Sequence, residues 1–203
     1  RYRGELYPVK RRWADEAVFA VERGAVGMLG TPAFGVHLNG FVETVDGPQL
    51  WVARRCSTKP TFPGRLDHLA AGGQPAGLGL FENIVKESAE EAGIPRALAE
   101  RALHVHALRY RLSDEYGYHD DTIHVFDLEL PDVFEPRPLD GEVESFERFD
   151  TTRLIERLAT TRDFKTNVAL VVIDWLLRRD LLAGHPERAE VEELVAPLRE
   201  TLT

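Results

Sequence analysis

Residues 72–95 read GGQPAGLGLFENIVKESAEEAGIP, and the fold turns on how this stretch is understood. Its second half predicts a helix over roughly 80–92, with Phe81, Ile84, Val85, Ser88 and Ala92 on an inner stripe at close to a 3.6-residue period. Gly93 suits the left-handed position after the last turn, and Pro95 stops the helix from continuing. Glu87, Glu90 and Glu91 then crowd one sector next to that stripe, although like charges three and four apart repel by about 0.2–0.5 kcal/mol per pair. Glu82 and Lys86 stand at i,i+4 in the order that favours a surface pair. Two readings of the glutamates are open from the helix alone: a solvated acidic face, or a cradle for a hard cation such as Mg²⁺ or Mn²⁺.

The first half of the stretch bears on that choice. Gly72, Gly73, Gly77 and Gly79 make a loop where backbone can approach a phosphate or a metal, or simply a flexible connection. Upstream, GVHLNGFVETV and QLWVARRC flank Asp46-Gly47 and read as a hairpin, its turn lengthened by Pro48. LDHLAA leads into the glycine loop as a short strand, and residues 1–33 read as a strand (GELYPV) and a helical stretch (DEAVFAVERGAVGML). Downstream come a short helix (RALAERAL) and strands HALRYRL and TIHVFDLEL around the polar loop SDEYGYHDD. A strand near VESFERF and the helices TTRLIERLAT, NVALVVIDWLLRRD and PERAEVEELVAPLRE complete the chain. This order is α+β, layered α/β/α, and lacks the strict βαβ alternation of a dinucleotide-binding fold.

Composition narrows the function classes. The chain has 203 residues, 43% of them hydrophobic, and a formal net charge of −9, which argues against a nucleic-acid or anionic-membrane binder. A small anionic ligand stays compatible, because a bound divalent metal reverses the local field. The single cysteine, Cys56, fits a reducing compartment and offers no cysteine metal cluster. The longest apolar run, VALVVIDWLL (168–177), is broken by Asp174 and is too short to span a bilayer. No signal-peptide pattern is visible, and the expectation is a cytoplasmic protein, monomeric or homodimeric.

The stretch 72–94 resembles the Nudix hydrolase signature G-x5-E-x7-R-E-U-x-E-E-x-G-U, where U is aliphatic. Gly72 takes the first glycine, Glu87 the glutamate after the arginine position, Glu90 and Glu91 the paired glutamates, and Gly93 and Ile94 the end. Three positions depart: Leu78 stands for the first glutamate, Lys86 for the arginine and Ser88 for an aliphatic residue. The metal-facing half is intact and the loop-shaping half is altered. The resemblance implies a Nudix-like α/β/α sandwich with a mixed central sheet, a small N-terminal extension and C-terminal helices. It divides the chain into 1–33, a hydrolase domain at 34–180 and a helical segment at 181–203 packing on that domain.

It also implies metal ligands Glu87 and Glu91 with Glu90 assisting, Glu87 as a group that orients or deprotonates water, and the Gly72 carbonyl as a further ligand. A distant carboxylate completes such sites; Glu142 is the first choice, with Glu144 and Glu147 read as a solvated strand edge and Asp120 and Asp121 as weaker alternatives. YRGELYPV, FGVHLNGFV, LWVARRCSTKPTFPGRLDHLAAGG, DLELP and DGEVESF occur in the order seen in the thiamin pyrophosphokinase-related Nudix proteins, in the stand-alone form. That subtype implies removal of the terminal phosphate of thiamine diphosphate or its oxidised analogues. Arg54, Arg55 and Lys59 are candidates for diphosphate oxygens, with surface ion pairs as the other reading. His37, Asn39 and His68 are candidates for a substrate ring, or structural hydrogen-bonding residues. Phe41, Trp51, Tyr116 and Tyr118 are stacking candidates or core. Rival readings are a hydrolase of ADP-ribose or oxidised nucleotides, a Nudix-fold binding module without turnover, and an isopentenyl diphosphate isomerase lacking its supporting cysteine motif.

Overall fold

The structure, a computed structural model, describes residues 2–114 and 117–201. Strand β1 (Leu6–Val9) pairs antiparallel with β2 (Phe19–Glu22), and a short helix α1 (Val26–Leu29) follows. The central sheet among the described residues comprises β3 (Pro32–Val42), β4 (Gln49–Arg55), β5 (Leu66–Asp67), β6 (Ala70–Gly73), β7 (Leu103–Asp114), β8 (Gly117–Glu129), β9 (Val143–Phe149) and β10 (Arg199–Glu200). Its order is β10-β7-β8-β3-β4-β5, with β6 on β3 and β9 on β4. The β3–β8 pair is parallel, from Pro32↔Asp120 to Phe41↔Glu129, and the other pairings of this sheet are antiparallel, so it is mixed.

The helices are α2 (Leu80–Ala92), α3 (Arg96–Ala99), α4 (Thr151–Thr160), α5 (Thr166–Arg178) and α6 (Arg188–Val195). Side chains of β3 alternate between two cores, as pleating requires. Val36 and Leu38 pack with Ile84, Val85 and Ala92 of α2, whereas Phe41 packs with Val171, Val172 and Trp175 of α5. Helix layers on both faces give the expected α/β/α sandwich, within an α+β order. Among the described residues no helix is long and apolar enough to cross a membrane.

Several elements differ from the sequence reading. The stretch read as helical over 15–29 contains β2, because Phe19–Glu22 takes the free edge of β1 while Gly24 and Gly27 weaken a helix. The polar segment read as a loop near 113–121 lies mostly in β7 and β8, tied by cross-strand pairs such as Arg109–Asp120, two hydrogen bonds of 2.8 Å, and Tyr110–Asp121 at 2.9 Å. LDHLAA becomes two strands, β5 and β6. Phe81 is 43% exposed rather than inner, and Asn83 and Glu91 are buried in its stead. The last helix stops at Val195, since Pro197 cannot continue it, and Arg199–Glu200 joins the edge of β7.

Candidate active site

Helix α2 starts at Gly79, whose amide donates to Glu82 Oε2 at 3.2 Å, so Glu82 caps the helix and does not pair with Lys86. It ends at Gly93, with φ +64°, and the Ile94 amide returns to Ser88 O at 3.0 Å. The glycine loop between β6 and α2 is bonded through residues the sequence reading passed over. Gln74 and Asn83 are fully buried; Asn83 Nδ2 donates to Gly73 O at 2.9 Å and Gln74 Oε1 at 3.0 Å, and Gln74 Nε2 donates to Leu78 O at 2.6 Å. Position 78 therefore serves the loop through its carbonyl, with no carboxylate. A polar Asn83 beside the apolar stripe was the available signal.

The N-terminal hairpin reaches the same loop. Ala76 N donates to Leu6 O at 2.8 Å, and a Cβ built on Gly73 would lie 1.5 Å from Tyr7 Oη. Burial pushes the Tyr7 phenol up to about 12, partly opposed by Arg23. Gly72 is required for a similar reason: a Cβ there would meet the Glu87 carboxyl at 2.4–2.6 Å. The structure thus brings Gly72 and Glu87 together.

The three glutamates have unequal surroundings. Glu91 is 8% exposed and its Oε2 accepts from Ala71 N at 2.8 Å. Burial raises its carboxyl well above the usual range, Asp67 and Glu87 add to the effect, and the Ala71 amide opposes it. Glu87 is also raised, chiefly by burial, against the pull of Lys86. Glu90 is exposed and pairs with Lys86 Nζ at 2.8 Å; the same ammonium reaches Glu87 Oε1 at 3.2 Å.

Glu91, Asp140 and Glu142 each offer a carboxylate oxygen, and these oxygens all lie within 4.8 Å of one another. Oxygens bound to Mg²⁺ at about 2.1 Å stand about 3–4 Å apart, so this donor set needs little contraction to hold a hard cation. Asp140 was missed because nothing in DGEVESF separates it from its neighbours; only its proximity to Glu91 does. Glu142 precedes β9 rather than lying within a strand. Its amide donates to Asp140 Oδ1 at 2.8 Å and its carbonyl accepts from Cys56 N at 2.8 Å.

The basic candidates Arg54 and Arg55 end β4, and Lys59 lies in the loop after it. Arg54 is exposed and donates to Gly64 O at 2.8 Å, while Arg55 turns inward. Arg55 Nη1 pairs with Asp67 Oδ2 at 2.7 Å, and Nε and Nη2 donate to Phe62 O and Thr61 O, which fastens the 56–65 loop. Lys59 Nζ stands 2.5 Å from Glu142 Oε2. His37 and His68 are buried with rings edge to face at 4.8 Å, and His37 Nδ1 and His68 Nε2 have no partner among the described residues. Burial holds His37 well below an ordinary imidazole and His68 at about 4. Asn39 lies further along β3, donating to Asp127 Oδ1 at 2.8 Å within the Arg178–Asp127 pair. Glu147 pairs with Arg153, and Glu144 is exposed. Phe41 and Trp51 are core, Tyr118 covers Gly30, and Tyr116 lies outside the described residues.

No family model matches the chain. It is 43% identical to Nudix hydrolase 20, chloroplastic, of Arabidopsis thaliana over 97% of its own length and 52% of that protein's. It is 41% identical to Nudix hydrolase 24, chloroplastic, of the same plant over 97% of this chain and 53% of that one. The uncharacterized Saccharomyces cerevisiae protein YJR142W is 35% identical over 92% of this chain and 58% of that one. The chain thus spans about half the length of the curated relatives it matches. Among solved structures, the DR0079 protein of Deinococcus radiodurans has TM-score 0.60 at 23% identity, covering 83% of this chain and 96% of that one. A MutT/nudix family protein from Enterococcus faecalis has TM-score 0.53 at 11% identity, covering 79% and 67%. These neighbours share the fold.

Proposed function

We infer from kinship and fold together that the chain belongs to the Nudix hydrolase family, and from that premise we propose a metal-dependent diphosphohydrolase acting on thiamine diphosphate or its oxidised analogues. The observation that carries the hydrolase reading is the convergence of buried Glu91 with Asp140 and Glu142 within 4.8 Å, beside Gly72 and Glu87. A bare solvated acidic face would not need Gly72 to clear space for the Glu87 carboxyl. The thiamine assignment rests on the sequence resemblance, under which His37 and His68, a buried imidazole pair, are the candidate ring contacts.

Glu91, Glu142 and Asp140 would hold a divalent cation such as Mg²⁺ or Mn²⁺, with the Gly72 carbonyl and Glu87 beside them. When bound, such a cation neutralises diphosphate charge and acidifies coordinated water. Glu87, half-buried and raised in pKa, orients the attacking water at the mouth of the site. The water oxygen bonds to the terminal phosphorus, the bridging P–O bond breaks, the water's proton ends on the product phosphates, and monophosphate and inorganic phosphate leave. Lys59 supplies positive charge to the departing phosphate. Glu90, exposed, assists through Lys86 rather than from inside the site. With one cysteine, Cys56, the chain suits a reducing compartment such as the cytosol.

Phosphate release from thiamine diphosphate, oxothiamine diphosphate, ADP-ribose and nucleoside triphosphates, each with Mg²⁺ or EDTA, tests this. The expected result is Mg²⁺-dependent turnover of the thiamine compounds. Turnover confined to nucleotides sinks the thiamine assignment, and tight binding without turnover of any compound marks a binding module.

A further inference from the structure

Lys59 stands where a metal site would be expected to repel it. Its ammonium lies 2.5 Å from Glu142 Oε2, and Glu142 is one of the three carboxylates gathered around Glu91. The Lys59 side chain is 19% exposed, against 45% for Lys86, so it is the more shielded of the two ammonium groups that reach glutamates at the site. The loop bearing it is fastened at both ends. Cys56 N donates to Glu142 O at 2.8 Å, Lys59 N to Cys56 O at 3.1 Å, and Arg55 grips Thr61 O and Phe62 O. Lys59 can therefore redirect its four-carbon stem but cannot carry its backbone away.

Building on the site proposed above, we propose that Lys59 is an exchangeable counter-ion of Glu142: the cation displaces its ammonium from the carboxylate, and the freed ammonium engages the terminal phosphate oxygens of the diphosphate. One ammonium cannot serve Glu142 and a phosphate together while a divalent cation also binds Glu142. Metal binding alone must break the Lys59–Glu142 pair without return, whereas metal and diphosphate together replace it. The two ligands are thereby coupled, each tightening the other by the same factor.

Two readouts besides turnover test this on the full chain. In Mn²⁺ titrations without diphosphate, Lys59→Gln should bind Mn²⁺ about 3–10-fold more tightly than wild type. The tightening that the non-hydrolysable probe imidodiphosphate gives wild type should shrink by a similar factor in the variant. Separately, amine labelling read by mass spectrometry should rise at Lys59 on adding Mg²⁺ and fall again on adding imidodiphosphate. Labelling indifferent to Mg²⁺, or Mn²⁺ affinity unchanged or weakened in Lys59→Gln, overturns the exchange. Glu91→Gln separates the two levels: if it binds Mn²⁺ as wild type does, the site itself is wrong; if it abolishes binding while Lys59→Gln changes nothing, only the exchange is.

Discussion

Acidification should weaken this protein through its buried histidines, against an opposing gain at two buried carboxyls. His68 is 3% exposed and titrates at about 4 in the folded chain, against an ordinary 6.5. Between those values the unfolded chain binds a proton that the folded chain refuses, so stability is fully present above pH 6.5 and falls as the pH drops toward 4. Integrating over that window, His68 removes about 2 kcal/mol at pH 5 and roughly 3 kcal/mol by its lower end. His124 is held at about 3 by burial, with His104 and Lys10 adding to the effect, and removes a similar amount at pH 5. Glu91 and Glu87 push the other way, because carboxyls raised in the folded state gain protons there first. Asp174, lowered to about 2 despite its burial by His106, Arg178 and Arg199, matters only below the ordinary aspartate range.

The readout is therefore a difference of differences. Urea denaturation of wild type and His68→Gln at pH 7.5 and pH 5 should show the variant losing about 2 kcal/mol less on acidification. With a slope near 2 kcal/mol per M, that is about 1 M of urea in the midpoint shift. The absolute stability of the variant is immaterial. If both proteins lose the same amount within about 0.5 kcal/mol, His68 is not a buried neutral group, and its candidacy as a dry contact for a substrate ring goes with it.

Glu91→Gln should lower phosphate release by at least about 100-fold while leaving thermal unfolding unimpaired, since the amide oxygen still accepts from Ala71 N and no buried charge remains. Glu144→Gln, at an exposed position, should be mild in the same assay. Asn83→Ala strips Gly73 O and Gln74 Oε1 of their donor and should cost about 1–3 kcal/mol in urea melts, with kcat falling as the glycine loop loosens. Gly73→Ala drives a methyl into the Tyr7 hydroxyl and should cost about 1–3 kcal/mol by the same measurement; an unchanged midpoint would mean that the N-terminal hairpin does not pack on the loop.

Much of this chain was legible because some elements are determined by neighbours a few residues away. Helix α2 has the expected bounds, 80–92, since its apolar period, its Gly93 stop and Pro95 are local instructions. The strand at Val143–Phe149 and the helix at Thr151–Thr160 were read for the same reason, the latter capped by Asp150. The inward turn of one arginine of the Arg54-Arg55 pair followed from pleating alone. Where the reading failed, a distant partner decided. Phe19–Glu22 is a strand because Leu6–Val9 offers an edge, and Arg199–Glu200 because β7 does.

At the site, the sequence by itself determined the crowding of Glu87, Glu90 and Glu91 on one helix face and the glycines that let backbone approach them. Only the tertiary structure ranked these carboxylates, because burial and charge pairing depend on what the fold lays across the helix. Glu91 is enclosed against Ala71, Glu87 sits over Gly72, and Glu90 is left to solvent and Lys86. The same holds for Asp140 and for the Lys59–Glu142 pair, whose members are 83 residues apart in sequence (142 − 59) and meet because β4 and β9 pair and carry their flanking loops to the end of α2. Spacing along a chain fixes which residues share a local face; which faces meet, and which charges lose their water on meeting, is set by long-range packing.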